Sequence, residues 1–254
     1  MKVEYGNQLV QIFSSNIFKR LENLNDVVIW NCDSLEVVFD LQELVINITI
    51  TESITSELRD LDIRNLQNLK YVWNKDPQQA LSFPNLSSVY VWDCPSLKNL
   101  FPTSIAKNLL KLKTLNLDDC GLKELVTKEE GVETNPKFAF PQLKCLDLWR
   151  LNELNWFYPG SHTLECPVLE KLVVFHCDKL ETLTFEPVDS NLQETQMENP
   201  LFSFREIVNN VEHLSLTRKD ATSILQGQFP EHLFHMLKVI QINCYHDESA
   251  VFSI

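Results

Sequence analysis

One spacing constrains this sequence more than any other: L-x-x-L-x-L, with Val or Ile standing freely for Leu. It occurs as Leu24/Val27/Ile29, Leu58/Leu61/Ile63, Leu86/Val89/Val91 and Leu112/Leu115/Leu117. It returns as Leu143/Leu146/Leu148, Leu169/Leu172/Val174, Val211/Leu214/Leu216 and Leu237/Ile240/Ile242. The first positions of successive copies lie 34, 28, 26, 31, 26, 42 and 26 residues apart. The alternation of the last two apolar positions reads as a short strand with one inward face. A single strand of this kind cannot cover its own inward side chains, so the copies must stack and share a core.

The expected fold class is therefore an α/β solenoid: a leucine-rich-repeat horseshoe with a parallel β-sheet on its concave face. Irregular turns or short helices would form the convex face. Intervals of 26 residues leave little room for long helices, and proline at a first turn favours helical pieces at Thr103–Leu110 and Pro230–Met236. Residues 1–254 read as one repeat domain of about eight copies, with irregular insertions near 40–57, 127–137 and 187–200. The first insertion contains Leu41/Leu44/Ile46, which has the internal spacing of a degenerate copy. Cys32, Cys94, Cys120 and Cys177 each follow the last strand hydrophobe by three residues, and Leu66 and Leu151 take that position elsewhere. Exchange of Cys with Leu describes a buried apolar rung. Cys244 comes one residue earlier in the last copy. A further apolar step follows at Leu35, Leu97, Leu122, Leu154 and Leu180. Phe83-Pro84, Phe140-Pro141 and Cys166-Pro167 precede copies, where proline is expected to give an extended entry into the strand.

Composition narrows the function. A formal net charge of -13 opposes binding to a nucleic-acid backbone and docking on an anionic membrane. The apolar stretch around Leu44 to Ile50 is interrupted by Asn47 and too short for a membrane span. The opening MKVEYGNQLVQIF lacks the order of a secretory signal, and seven cysteines with no such signal favour reduced thiols in a cytoplasmic setting.

The side chains flanking the last apolar position of each copy point outward. They include Trp30, Arg64, Tyr90, Trp92, Asp118, Trp149 and Phe175. Large aromatics and Arg anchor protein interfaces, so these seven are the candidate protein-binding residues. No catalytic, cofactor-binding or metal site is expected. Phosphate-loop, dinucleotide and H-E-x-x-H motifs are missing, and only five glycines are present. His162, Cys166, His176 and Cys177 have zinc-ligand chemistry, but a core-facing Cys177 and a turn-borne His176 do not converge. Cys145 has no basic cluster nearby to lower its pKa. Asp118-Asp119 and Glu129-Glu130 read as exposed turn carboxylates, and His213 as a surface or edge residue.

Three segments resemble the repeats of plant nucleotide-binding leucine-rich-repeat disease-resistance proteins of the coiled-coil class. They are Phe83 to Cys120 (FPNLSSVYVWDCPSLKNLFPTSIAKNLLKLKTLNLDDC), Phe140 to Leu183, and SSNIFKRLENLNDVVIWNCDSLEVVF from Ser14 to Phe39. The nucleotide-binding domain of that family has no counterpart here, so ATP or ADP binding is not carried over. The resemblance implies a non-enzymatic recognition module that senses a pathogen effector or a host guardee, or contacts a receptor switch domain. The outward residues named above would serve that role. A scaffold, a ubiquitin-ligase substrate adaptor or a non-functional receptor fragment are the alternative readings.

Overall fold

The computed structural model describes residues 1–14, 17, 23–42, 54–77, 80–128, 135–180, 183–184, 202–203, 210–216, 235–243 and 249–253. The hidden copy at Leu44/Ile46, Glu129-Glu130, the 187–200 insertion, Pro230 to Phe234 and Cys244 lie outside these residues.

The repeated strands build one ten-stranded sheet. In order, it holds Lys2–Glu4, Asp26–Trp30, Asp60–Arg64, Ser88–Cys94, Thr114–Cys120, Cys145–Trp149, Lys171–Phe175, His213–Leu216, Val239–Asn243 and Ser249–Ser253. Neighbouring strands are parallel except for the last pair, Val239–Asn243 with Ser249–Ser253. The register aligns like with like. Ile29 meets Ile63, Ile63 meets Val91, Val91 meets Leu117, and Leu117 meets Leu148. Each of these side chains has 0% exposure, because its neighbours in sequence-distant turns cover it. The end strands Lys2–Glu4 and Ser249–Ser253 extend the sheet beyond the eight copies that the spacing reveals.

The expected α/β horseshoe, with one sheet and a helical or irregular second face, is not what forms. Among the described residues there is one helix, Thr103–Lys107, five residues long. It begins after Pro102 as expected, but ends at Asn108, whose side-chain amide donates to the Ser104 carbonyl at 2.8 Å. Opposite the main sheet lies a second parallel sheet of Gln11–Ser14, Val37–Asp40, Tyr71–Trp73, Asn99–Phe101 and Glu124–Val126. Three two-stranded sheets are also present among the described residues: Ile54–Thr55 with Leu81–Ser82, Lys137–Ala139 with Thr163–Glu165, and Leu183–Thr184 with Phe202–Ser203. The physical reason is visible in the sequence after each Cys or Leu rung. Leu35, Leu69, Leu97 and Leu122 each open a five-residue step that places an apolar pair at its end: Val38-Phe39, Val72-Trp73, Leu100-Phe101 and Leu125-Val126. Turns that stack in register on one face also stack on the other, so these steps pair through their backbones instead of coiling into helices.

Aromatic rings fill the second sheet's inner face. Phe13 stacks on Phe39 at 4.8 Å between ring centres, Phe39 on Trp73 at 5.6 Å, and Trp73 packs against Phe101 at 5.4 Å. Phe83 closes on Phe39 and Trp73 edge-first. The Trp73 indole N–H is buried without an acceptor, so its packing area, not its polarity, is what stabilises the ladder.

The prolines occupy turns, which corrects their expected role as extended entries. The N–H groups of Leu86, Leu143 and Leu169 donate to the carbonyls of Phe83, Phe140 and Cys166, each at 3.2 Å. Pro84, Pro141 and Pro167 therefore sit second in a closed four-residue turn, where a fixed φ is favourable and the missing N–H is not needed.

Trp73→Ala should lower unfolding free energy by about 3–5 kcal/mol, the usual cost of an emptied aromatic site. Trp73→Phe should cost well under half of that, because it keeps a ring and removes the orphaned N–H. Urea denaturation followed by circular dichroism checks both, and equal losses would contradict the ladder's dependence on ring packing.

Candidate interaction face

The outward side of the ten-stranded sheet is set by the same register. One row runs Glu4, Trp30, Arg64, Trp92, Asp118, Trp149, Phe175, each paired with the next across strands. A second row runs Val28, Asp62, Tyr90, Asn116, Asp147, Val173, Ser215 and Gln241. All seven candidate residues thus lie on one face, six in the first row and Tyr90 in the second, and all are half-buried.

A recurrent hinge ends each rung. The residue after the first-row position has a positive φ: Tyr5 54°, Asn31 51°, Asn65 54°, Asp93 52°, Asp119 51°, Arg150 49° and His176 51°. Asn and Asp tolerate this left-handed geometry best, whereas the Tyr, Arg and His are held there by the stack. Several hinge N–H groups donate to the next turn's first-row carbonyl: Asn31 to Arg64 at 3.2 Å, Asn65 to Trp92 at 2.9 Å and Arg150 to Phe175 at 2.8 Å. The hinge then swings the following Cys or Leu into the core. There the thiol groups of Cys32, Cys94, Cys120 and Cys177 donate back to the carbonyls of Trp30, Trp92, Asp118 and Phe175, at 3.3, 3.4, 3.3 and 3.5 Å. This weak donor accounts for Cys over Leu at these rungs. Burial pushes the Cys177 thiol up to about 12, so it is an inert packing group. Burial and the Asp147 carboxylate likewise raise Cys145, which faces outward beside Lys171, to about 11.

Chemically the face divides in two. At one end the Arg64 guanidinium lies between two indoles, 5.3 Å from the Trp30 ring and 4.1 Å from the Trp92 ring. Asp62 accepts from it in a two-pronged pair at 2.6 and 2.7 Å. The Lys2 ammonium covers the Trp30 ring at 4.8 Å, and the Trp92 indole donates to the Asn116 carbonyl oxygen at 2.8 Å. Arg64 is therefore a fixed platform member, its charge already matched. At the other end Trp149 and Phe175 lean together at 4.7 Å, beside Val173. They are flanked by Asp147 with Lys171 at 2.8 Å and by Asp118 with Arg150 at 2.8 Å. Burial raises the Asp118 carboxyl above its usual range and Asp119 adds to the rise, outweighing the pull of Arg150.

The residues considered for zinc are not brought together. His162 sits against Phe138, Phe157 and Tyr158, Cys166 is buried at a strand entry, and no metal-holding group of three or more His, Cys, Asp or Glu exists among the described residues. An open groove of about 480 Å³ beside Pro141, Lys144, Val168, Glu170 and Met236 lies at the strand entries, away from the rows, and its Lys144 and Glu170 neutralise each other at 2.7 Å. No helix among the described residues is long and apolar enough to cross a membrane.

Residues 1–121 match the family of leucine-rich repeats described as plant disease resistance protein RPS2-like. Two Arabidopsis thaliana proteins are similar over longer or shorter stretches. At5g63020, named a probable disease resistance protein, is 34% identical over 107 residues, which are 42% of this chain and 12% of that protein. At4g10780, named a disease resistance protein with the same provisional status, is 29% identical over 178 residues, 67% of this chain and 16% of that protein. The chain thus spans a small part of the length of the relatives it matches. No solved structure matches it. The leucine-rich-repeat match covers residues 1–121, where the register sets Trp30, Arg64, Trp92 and Asp118 in one half-buried row.

Arg150→Ala should raise the Asp118 pKa further, read by carboxyl-carbon NMR titration. A raised pKa means the folded chain holds that proton more tightly than the unfolded chain. The stability from Asp118 is then greatest at low pH and declines as pH rises through the ordinary carboxylate range to the folded value. An unchanged or lowered Asp118 pKa in the variant would contradict the assigned balance of burial against Arg150.

Proposed function

We propose that this chain is the recognition module of a plant innate-immune receptor or of a related stand-alone protein, acting in the cytoplasm by binding another protein. The partner is a pathogen effector, a host guardee or a receptor switch domain. The observation that supports this most is the unbroken in-register row from Trp30 to Phe175, in which aromatic and Arg side chains stand half-buried on one face. Rings held by backbone register lose little freedom on binding, which is what an anchor for a partner needs.

On this reading the seven residues play different parts. Trp30, Arg64 and Trp92 form a pre-organised platform whose charges are satisfied internally, with Tyr90 beside it. Trp149 and Phe175 make the apolar anchor, and Asp118 beside them selects partners with a complementary charge. The disease-resistance names of the similar Arabidopsis proteins support the immune setting, and the net charge of -13 disfavours a nucleic-acid partner.

The test is proximity labelling from the 254-residue chain in plant cells, comparing it with Trp149→Ala/Phe175→Ala. Loss of an effector, guardee or switch domain from the labelled set, with an unchanged circular-dichroism spectrum, is expected. The paired loss in affinity for a recovered partner should be at least about 2 kcal/mol, or thirtyfold. An unchanged partner set in the folded variant would place recognition elsewhere on the molecule.

A further inference from the structure

The first row of the face twice sets one side chain between two indoles. Trp30 and Trp92 flank Arg64, and Trp92 and Trp149 flank Asp118. Strand spacing puts the backbones of each indole pair about 10 Å apart, which leaves room for one planar group between the rings. In the first interval that group is the Arg64 guanidinium, 5.3 Å from the Trp30 ring and 4.1 Å from the Trp92 ring. Asp62 of the same strand accepts from it at 2.6 and 2.7 Å. The second interval has matching walls, and Phe175 backs Trp149 at 4.7 Å. Its own row residue is the much shorter Asp118. Arg150 reaches Asp118 from the hinge through one nitrogen at 2.8 Å, and among the described residues its guanidinium is seated on neither ring.

Two carboxylates border this second interval. Asp118 stands within it, and Asp147 lies one row away on the strand that carries Trp149. Each gives one oxygen to a surface cation. Asp118 Oδ2 accepts from Arg150, and Asp147 Oδ2 accepts from Lys171 at 2.8 Å and from the Asn116 amide at 3.3 Å. The other oxygen of each, Oδ1, is enclosed and accepts no hydrogen bond. Asp147 is only 6% exposed, so its Oδ1 is a desolvated acceptor that no donor offsets. Burial holds the Asp118 carboxyl above its usual range despite Arg150, as befits a carboxylate short of positive charge.

We infer that the interval between Trp92 and Trp149 takes an arginine side chain of the protein partner, as the preceding interval takes Arg64. The inference rests on the recognition role proposed for this face and names the chemistry it selects. A guanidinium is planar, so it fits between two rings, and its fork of N–H donors reaches both carboxylates. A compact ammonium supplies charge without that planar fit. An apolar group would leave the Asp118 and Asp147 acceptors unmet, and an acidic group would oppose both. A carboxyl that turns about its last bond brings its enclosed oxygen outward. The Arg150 and Lys171 side chains are half-exposed, and their pairs are loose enough to follow that turn at little cost.

The probe is N-acetyl-arginine methylamide, titrated at low salt into the 254-residue chain carrying isotope-labelled tryptophan and read from the indole N–H NMR signals. Saturable shifts of the Trp92 and Trp149 signals are expected, with none from the uncharged citrulline analogue. Asp118→Asn should weaken the binding at least about fivefold, and Asp147→Asn should weaken it too, each with an unchanged circular-dichroism spectrum. No saturable shift, equal shifts from citrulline, or two folded variants that bind like the parent would overturn the inference. The probe needs no partner, so the two claims fail separately. A silent titration beside partner labelling that is lost in Trp149→Ala/Phe175→Ala removes the arginine site and leaves the recognition face standing. A saturable titration beside unchanged labelling supports the site and removes the recognition role.

Discussion

Among the described residues, the turns of this chain share one interior. Ile63 is fully covered only because Ile29 and Val91 lie beside it in the turns before and after, and the same holds for Leu117 between Val91 and Leu148. Burial shared between neighbours is the constraint from which the rest follows. It fixes the register, and the register aligns everything carried on each turn: hinges with hinges, thiols with leucines, rings with rings. A sequence that repeats its apolar spacing has in effect repeated its outward face as well.

That dependence explains which features could be read from residues alone. Val27 and Ile29 alternate with Val28 and Trp30, so the period of two told inward from outward, and the row Trp30, Arg64, Trp92, Asp118, Trp149, Phe175 could be written down before any geometry. The cysteines declared themselves buried by trading places with Leu66 and Leu151. The second sheet was hidden because its strands are as short as Asn99–Phe101, too brief for an alternation to register, and because its leucines looked like isolated steps. The recurrence of Val-Phe, Val-Trp, Leu-Phe and Leu-Val at the end of those steps was the available clue. The hinge was half visible as Asn31, Asn65, Asp93 and Asp119, and obscured where Arg150 and His176 take the same left-handed geometry. Nothing in the spacing showed that proline would close a turn, since Leu86 N–H to Phe83 carbonyl is a contact across the residues in between.

The face also shows why composition is a poor guide to a binding surface. Arg64 is a charge set within an aromatic line, and because two indoles and Asp62 enclose it, it is part of that line. The apolar character is concentrated at the other end, where Trp149 and Phe175 touch and Asp118 is held partly desolvated. A partner that met the platform alone would find its charges already paired. One that reached the Trp149 end would gain apolar area and a carboxylate whose burial makes it responsive to a matching charge.

The central claim is that recognition uses the outer face of the ten-stranded sheet and not the second sheet. A photoreactive phenylalanine analogue placed at Phe175, and separately at Trp156 on the second sheet's edge, separates the two most directly. Both positions are at least partly accessible, with Trp156 at 40% exposure. On irradiation in plant cells, a discrete cross-linked partner from position 175 and none from position 156 is the predicted result. The same partner captured at 156, with position 175 silent, would contradict the account.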